Sequence, residues 1–536
     1  MPRRFTRRDF MTAGAIAIGS TPFLGVERIF ARQGSEGVFR HGVASGDPLR
    51  DRVVLWTRVT PGAPGANVDV EWMLARDVRM SRAVARGSIR TSADRDYTVK
   101  IDPVGLEPGS TYYYRFAARG ARSPIGRTRT LPARPTKRVR LAIASCSNLP
   151  FGYFNAYARI AVRPDLDAVL HLGDYIYEYG NNRYGNRAEG DGTPFGRIPM
   201  PDHEIVSLDD YRQRYAQYRE DPDLQAAHRQ HPFIVVWDDH ESANNSWRGG
   251  AQNHNPEEGD WNVRRAAAVR AWQEWMPVRE SPGSDYRLYR QFPFGDLADL
   301  MMLDTRLEGR EVQAAREDVA TLERASRQLL GAAQEEWLFE GLRDSRAAGK
   351  PWQLLGQQVM FAPQALAGAP ASNTDSWDGY RAARNRVFDA AAAAGVRHLV
   401  VLTGDVHSSW AYDLARNPFE PANYDPATGR GVVGTEIVTP AITSPGGPAA
   451  DRIASLYATR PHLKFVAGEQ QRGYVVLDVT PQRLQADWWF VPSIVERSSS
   501  ERFAKGMVSA AALPHLEEVS SPAASGPAPD PAPDLL

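Results

Sequence analysis

From Val139 onward the chain alternates short apolar runs with amphipathic segments of helical length, and this alternation restricts it to a layered α/β architecture. The strand-like runs are Val139 to Ala144, Ala168 to Leu172, Phe233 to Trp237, Leu300 to Leu303, Trp352 to Leu355 and His398 to Leu402. The helical segments include Asp209 to Arg219, Asn262 to Trp275, Gln334 to Arg346 and Arg381 to Ala393. Strands at Tyr474 to Val479 and Leu484 to Phe490 are expected to be the last, so the unit should span about 138–505.

Four of these runs end in polar residues that can bind cations. They are Ser145-Cys146-Ser147-Asn148, Gly173-Asp174-Tyr175-Ile176-Tyr177-Glu178, Asp238-Asp239-His240-Glu241 followed by Asn244-Asn245, and Thr403-Gly404-Asp405-Val406-His407. In open α/β sheets the carboxyl ends of strands are where sites assemble. Each cluster has an ordinary explanation alone: a buried thiol packs as a small hydrophobe, and an Asp after Gly caps a turn. Neighbouring strand positions face opposite ways, so Asp238 and Asp239 are not both expected at one site. Four such clusters together would be costly unless the groups converge on cations. A thiolate, a phenolate and an imidazole (Cys146, Tyr177, His407) suit ferric iron, Fe3+. Oxygen donors (Asp239, Asp405, Asn244) suit calcium, Ca2+, magnesium or manganese, and Asp174 could bridge both kinds. Bridged metals are a recurring device for phosphoester hydrolysis.

Residues 38–135 have a different texture. Val53 to Val59, Val68 to Leu74, Tyr97 to Ile101 and the aromatic run Thr111 to Phe116 read as strands separated by turn residues, which predicts a small all-β sandwich of the fibronectin III kind. Ala133-Arg134-Pro135-Thr136 is the expected hinge. Residues 519–536 are rich in Pro and Ala, cannot build a core and are expected to be a disordered tail. Lys plus Arg and Asp plus Glu are each 64 among 536 residues, which leaves no chain-wide nucleic-acid-binding footprint. One cysteine excludes an intrachain disulfide.

The first 31 residues, with Arg7-Arg8 ahead of a modest apolar run from Met11 to Gly25, resemble a twin-arginine export signal cleaved near Ala31. That run is shorter than the roughly 20 residues of a permanent membrane span. A periplasmic or extracellular location and a passage through the twin-arginine machinery are the expectations.

The ordered set Ser145 to Asn148, His171 to Glu178, Trp237 to Glu241, Leu303-Asp304-Thr305-Arg306 and Gly404 to His407, with Phe39 to Pro48 near the start, resembles the PhoD-type alkaline phosphatases of the calcineurin-like metallophosphoesterase superfamily. The resemblance implies a two-sheet αββα sandwich with metals at its edge and a phosphoester substrate, monoester or diester. It also implies that Cys146, Asp174, Tyr177 and His407 hold Fe3+, and that Asp174 bridges to one or two Ca2+ ions bound by Asp239, Asp405 and Asn244. His240 would lie beside the leaving-group oxygen, with attack in line from a metal-activated hydroxide. Against the wider superfamily, Cys146, Asp239 and Asp405 stand where nitrogen donors or an Asp-x-His entry are usual, which favours iron plus calcium over zinc or manganese. Gln357 and Gln358 stand where relatives place another histidine. Two other readings remain at this level. One is a mononuclear iron oxygenase, for which the strand ends supply only His240 and His407. The other is a non-catalytic surface binding protein. Between Asn181 and Pro201 a Gly- and Arg-rich segment is a candidate cover for the site, and Trp377 to Tyr380 either touches substrate or starts the next helix.

Overall fold

A computed structural model describes residues 37–181, 183–184, 197–280, 287–468 and 470–533. The expected export signal (1–31) and most of the 181–201 segment lie outside the described residues.

The fold is mixed α/β and rich in sheet. A ten-stranded sheet has at its centre the parallel strands Val139–Ala144, Ala168–His171 and Pro232–Val235. A seven-stranded sheet has at its centre the parallel strands Ala298–Met302, Trp352–Gln357, Leu399–Thr403 and Gly434–Val438. Nearly every position in these strands is buried, which explains why they read as unbroken apolar runs rather than alternating ones. One hydrophobic core joins the two sheets: Leu141, Ile143, Leu170 and Ile234 from the first pack with Leu300, Met302, Leu354, Val400 and Leu402 from the second. Both sets of parallel strands end at the same rim, where Ile442 N donates to Ser145 O (3.0 Å) and Gly404 N to Gln358 O (2.9 Å).

The helices follow sequence logic. Leu208–Tyr218 starts at a capping box in which Ser207 and Asp210 exchange hydrogen bonds, and Trp261–Trp275 is capped by Asp260. Arg381–Ala393 begins directly after the 3-10 turn Trp377–Tyr380, so that turn starts the helix; Trp377 is buried and donates to Gln357 Oε1 (3.1 Å).

Two expectations need correction and one needs refinement. Residues 38–135 are all-β around a core of their own, which includes Phe39, Leu55, Val70, Tyr97 and Tyr114, while Val43–Gly46, Val54–Arg58 and Thr98–Ile101 also extend the ten-stranded sheet, with Val43–Gly46 pairing in parallel with Pro232–Val235. Only the strands from Val68–Ala75 to Gly126–Arg129, apart from Thr98–Ile101, make the separate five-stranded sheet. The strand series does not end near 490, because Arg502–Ala510 and Leu513–Val519 complete the large sheet. The Pro/Ala-rich tail is held rather than free. Ala523 N donates to Asp487 Oδ2 (2.8 Å), Gly526 N to Asp165 Oδ2 (2.8 Å), Tyr113 Oη to Asp530 O (2.6 Å) and Ala532 N to Gln230 Oε1 (2.9 Å). The tail thus crosses from the large sheet to the small one, joined mainly through its backbone.

Candidate active site

The rim shared by the two sheets gathers the strand-end residues. Ligand-type atoms of Cys146, Asp174 and His407 lie within 4.8 Å of one another, as do those of Asp174, Asp239 and His240, and those of Asp238, Asp239 and Asp405. Asp174 is common to the first two groups and Asp239 to the last two, so the groups form one continuous cluster. Tyr177 joins it: its hydroxyl donates to Asp174 Oδ2 (3.1 Å), lies 3.1 Å from His407 Nε2 and meets Ser444 Oγ. Asn244 stands at the margin, its amide N–H donating to Glu178 Oε1 (2.7 Å) and its side chain to Gln252 (3.0 Å).

The backbone at this rim is strained. Cys146, Asp174, Asp405 and His407 all adopt left-handed φ values between 54° and 60°. Non-glycine residues rarely take this conformation, and where they do the surrounding structure must hold them there. Gly173 (φ 101°) permits the close approach of two strand ends, since a Cβ there would come within 2.4 Å of Asp238 Cβ. Glu241 ties the same two segments, accepting from Asp174 N (3.0 Å), Tyr175 N (2.7 Å) and Asp238 N (2.8 Å); burial pushes its carboxyl up to about 8.

Arg306, from the loop after Ala298–Met302, is fully buried among four carboxylates. It donates to Asp238, to Asp375 (2.8 Å) and to Asp405 (2.7 Å), and lies 3.6 Å from Asp239. Asp238 and Asp239 therefore approach the same guanidinium. The expectation that they diverge fails because the strand ends at Val235, ahead of both. Burial raises the Asp405 carboxyl to about 7 despite Arg306, whereas at Asp239 the effect of burial is outweighed by Arg306 and His240, which hold it low.

His240 is buried and its Nδ1 meets Glu178 Oε2 at 2.6 Å. Burial alone would lower its pKa, but Glu178, Asp174 and Asp239 outweigh that and raise it well above 6.5. The three carboxylates thus favour the charged imidazole, and Nε2 is left for another group. At His407 the Nδ1 side faces Pro445 O, which fixes Nδ1 as the donor and leaves the Nε2 lone pair toward Tyr177 and Asp174.

The donor set fits cations. Burial, and next Asp174, push the Cys146 thiol and the Tyr177 phenol well above their ordinary ranges, so neither ionises without added positive charge. Asp174 Oδ1 and Asp238 Oδ2 are buried without a hydrogen-bond partner. Gln357 and Gln358 are engaged elsewhere, Gln357 with Thr403 (2.6 Å) and Gln358 with Thr305 (3.1 Å) and the carbonyl of Trp237 (2.9 Å). Sequence reasoning quoted Glu178 and Arg306 without giving them a role and overlooked Asp375, Ser444 and Tyr184. Glu178 could have been found from its place one residue after Tyr177; Asp375 and Ser444 carry no local signal.

Comparison with known proteins agrees with this architecture. Residues 141–488 match the family model for the PhoD-like phosphatase, and residues 26–132 match the model for that family's N-terminal domain. Alkaline phosphatase D of Bacillus subtilis (strain 168) is 40% identical over 482 residues, covering 85% of this chain and 78% of the relative. The solved structure of PhoD superimposes with a TM-score of 0.82 at 38% identity, covering 92% of this chain and 94% of that one. The protein is a hydrolase of phosphoric ester bonds. The chain belongs to the PhoD-like phosphatase family.

Proposed function

We propose that this chain is an exported, metal-dependent phosphoesterase that hydrolyses phosphomonoesters and phosphodiesters at the shared rim of its two large sheets. The observation that carries this reading is the pair of donor groups meeting at Asp174 beside His240, whose Nδ1 is paired with Glu178. Cys146, Asp174, Tyr177 and His407 would hold ferric iron, and Asp174, Asp239, Asp405 and Asn244 calcium, by the match of sulfur, phenol and nitrogen donors to the first and oxygen donors to the second. Cations bound there would supply Lewis acidity at the phosphoryl oxygens and a water of lowered pKa.

The chain's own residues supply the rest. His240, its charge held by Glu178, donates a proton to the departing ester oxygen. Arg306 holds the Asp238, Asp239 and Asp405 carboxylates in one fixed arrangement, so little reorganisation accompanies binding. The finer fold reading is an αββα metallophosphoesterase sandwich preceded by a fibronectin III-like segment, and the Arg7-Arg8 leader supports export by the twin-arginine route. Among the described residues no helix is long and apolar enough to cross a membrane.

The test is to purify the chain exported by a twin-arginine-competent host, measure its iron and calcium, and assay aryl phosphate mono- and diesters before and after chelation. Loss of turnover on chelation and its return with the two ions is the expected result. Full activity in metal-free protein would end the proposal.

A further inference from the structure

The candidate donors are all deep: Cys146 is 0% exposed, Asp174 1%, Tyr177 2%, Asp239 3%, His240 5% and His407 8%. Tyr184, by contrast, is 39% exposed. Its ring lies nearly parallel to that of His240 (centroids 6.0 Å, interplanar 13°) and packs against Tyr179 (5.4 Å), whose own ring is 5.5 Å from His240. The Tyr184 hydroxyl donates to Pro445 O (2.9 Å) and lies 3.1 Å from His407 Nδ1, which fixes the ring across the cluster. Tyr179 is placed from beneath by the fully buried Arg214, which donates to Tyr179 O (3.0 Å) and to Tyr177 O. The floor of the site is therefore acidic and polar, and the side next to His240 is faced with two tyrosine rings.

We propose that Tyr179 and Tyr184 form the leaving-group subsite and select phosphoesters whose alcohol carries a planar aromatic face over esters of small hydrated alcohols. This rests on the reading of His240 as donor to the ester oxygen. A group bonded to that oxygen emerges beside the His240 ring, where the two tyrosines present π faces. Aromatic side chains in offset or edge contact favour one another by roughly a factor of 2 to 10 per pair. The carboxylates of the floor repel alcohols bearing further negative charge.

The experiment compares kcat/KM for phenyl phosphate and glycerol 1-phosphate, and inhibition by benzylphosphonate and methylphosphonate, which are not hydrolysed. It uses the metal-loaded wild type and Tyr184→Ala, Tyr179→Ala, Tyr184→Leu and Tyr184→Phe, with metal content measured for each. Either Ala variant should lower the phenyl-to-glycerol ratio about fivefold, with a parallel loss of preference for benzylphosphonate, and Tyr184→Phe should keep the ratio within about twofold. Tyr184→Leu keeps apolar bulk without a ring, should match Tyr184→Ala, and replaces it if the alanine variant does not fold. Equal losses on both substrates, an unchanged ratio, or a Phe variant as impaired as Ala would overturn the subsite, since rings that only shield the cluster from water would not discriminate. A wild type that cleaves neither ester refutes the phosphoesterase reading and the subsite with it. Cleavage of both with ratios untouched refutes the subsite alone.

Discussion

Arg306→Met removes the one positive charge shared by Asp238, Asp239 and Asp405 while keeping the unbranched stem up to about the position of Nε. In the wild type the guanidinium has no solvent contact, donates to Asp238, Asp375 and Asp405, and leaves Arg310 as a second partner only for Asp375. Breaking a buried ion pair from one side costs about 3–5 kcal/mol, because the remaining charge stays buried without compensation. With an unfolding entropy of roughly 2.1 cal/mol/K per residue, a chain of 536 residues unfolding as one unit changes stability by about 1.1 kcal/mol per degree near Tm. The metal-free variant should therefore melt about 3–4 °C below the metal-free wild type at pH 8. The sign with pH follows from linkage. Carboxylates that lose Arg306 bind protons more tightly in the folded chain than in the unfolded one, so the deficit shrinks as pH falls and grows as it rises. Calcium should recover part of the loss by pairing the same carboxylates, and Arg306→Met combined with Asp405→Asn should recover part without metal. Differential scanning calorimetry at pH 5.5 and 8, with chelator or with calcium, reads all of these. A variant within about 1 °C of wild type at pH 8, or a deficit that deepens toward acid, would refute the view of Arg306 as the counter-charge of the cluster.

Three further outcomes are expected. His240→Asn should lower kcat about 100-fold or more for alkyl phosphates and far less for 4-nitrophenyl phosphate, whose leaving group departs without a proton; a uniform loss across leaving groups would remove the general-acid role. His462 is buried, with Nε2 on Pro363 O at 2.9 Å, and burial lowers its pKa to about 3, so the unfolded chain takes up its proton first and stability falls as pH drops from 6.5 toward 3. His462→Gln should flatten that acid limb, by about 2 kcal/mol at pH 5 relative to pH 7, in denaturation followed by fluorescence. Deleting residues 520–536 should lower Tm by a few degrees at most and leave kcat/KM unchanged, because the lost hydrogen bonds, each worth about 1 kcal/mol, are offset by the ordering of the tail they hold. A tail-free chain with impaired turnover would place the tail in the site.

What could be read from the sequence divides along a physical line. The strands Val139–Ala144 and Trp352–Gln357 were legible because both faces are buried, which leaves a continuous apolar run whatever the neighbours are. Val43–Gly46 was not, since four residues carry no usable period and its parallel partner Pro232–Val235 lies nearly two hundred positions away. The tail misled composition arguments for a related reason: Pro and Ala cannot form a core, but the segment is held through its backbone N–H and C=O groups, about which side-chain composition says nothing.

The site shows the same division more sharply. Cys146, Asp174, Tyr177, Asp239, Asp405 and His407 were recognisable by donor chemistry at strand ends, and the fold brings them together. The charges that organise them were not recognisable. An arginine in a polar segment reads as solvated surface, yet Arg306 is fully buried because four carboxylates from the ends of two strands and the 373–376 loop converge on it. Local preference also says little here, since Cys146, Asp174, Asp405 and His407 occupy a backbone region that few non-glycine residues enter, although Asp and His enter it more readily than most. Such strain is sustained only by the long-range packing that creates it, at Gly173 against Asp238 and at Glu241 beneath both loops. The kinds of cation-binding atoms are therefore a property of the strand ends, whereas their arrangement is a property of the two sheets meeting, and a variant that loosens Glu241 should disperse the donors without altering any of them.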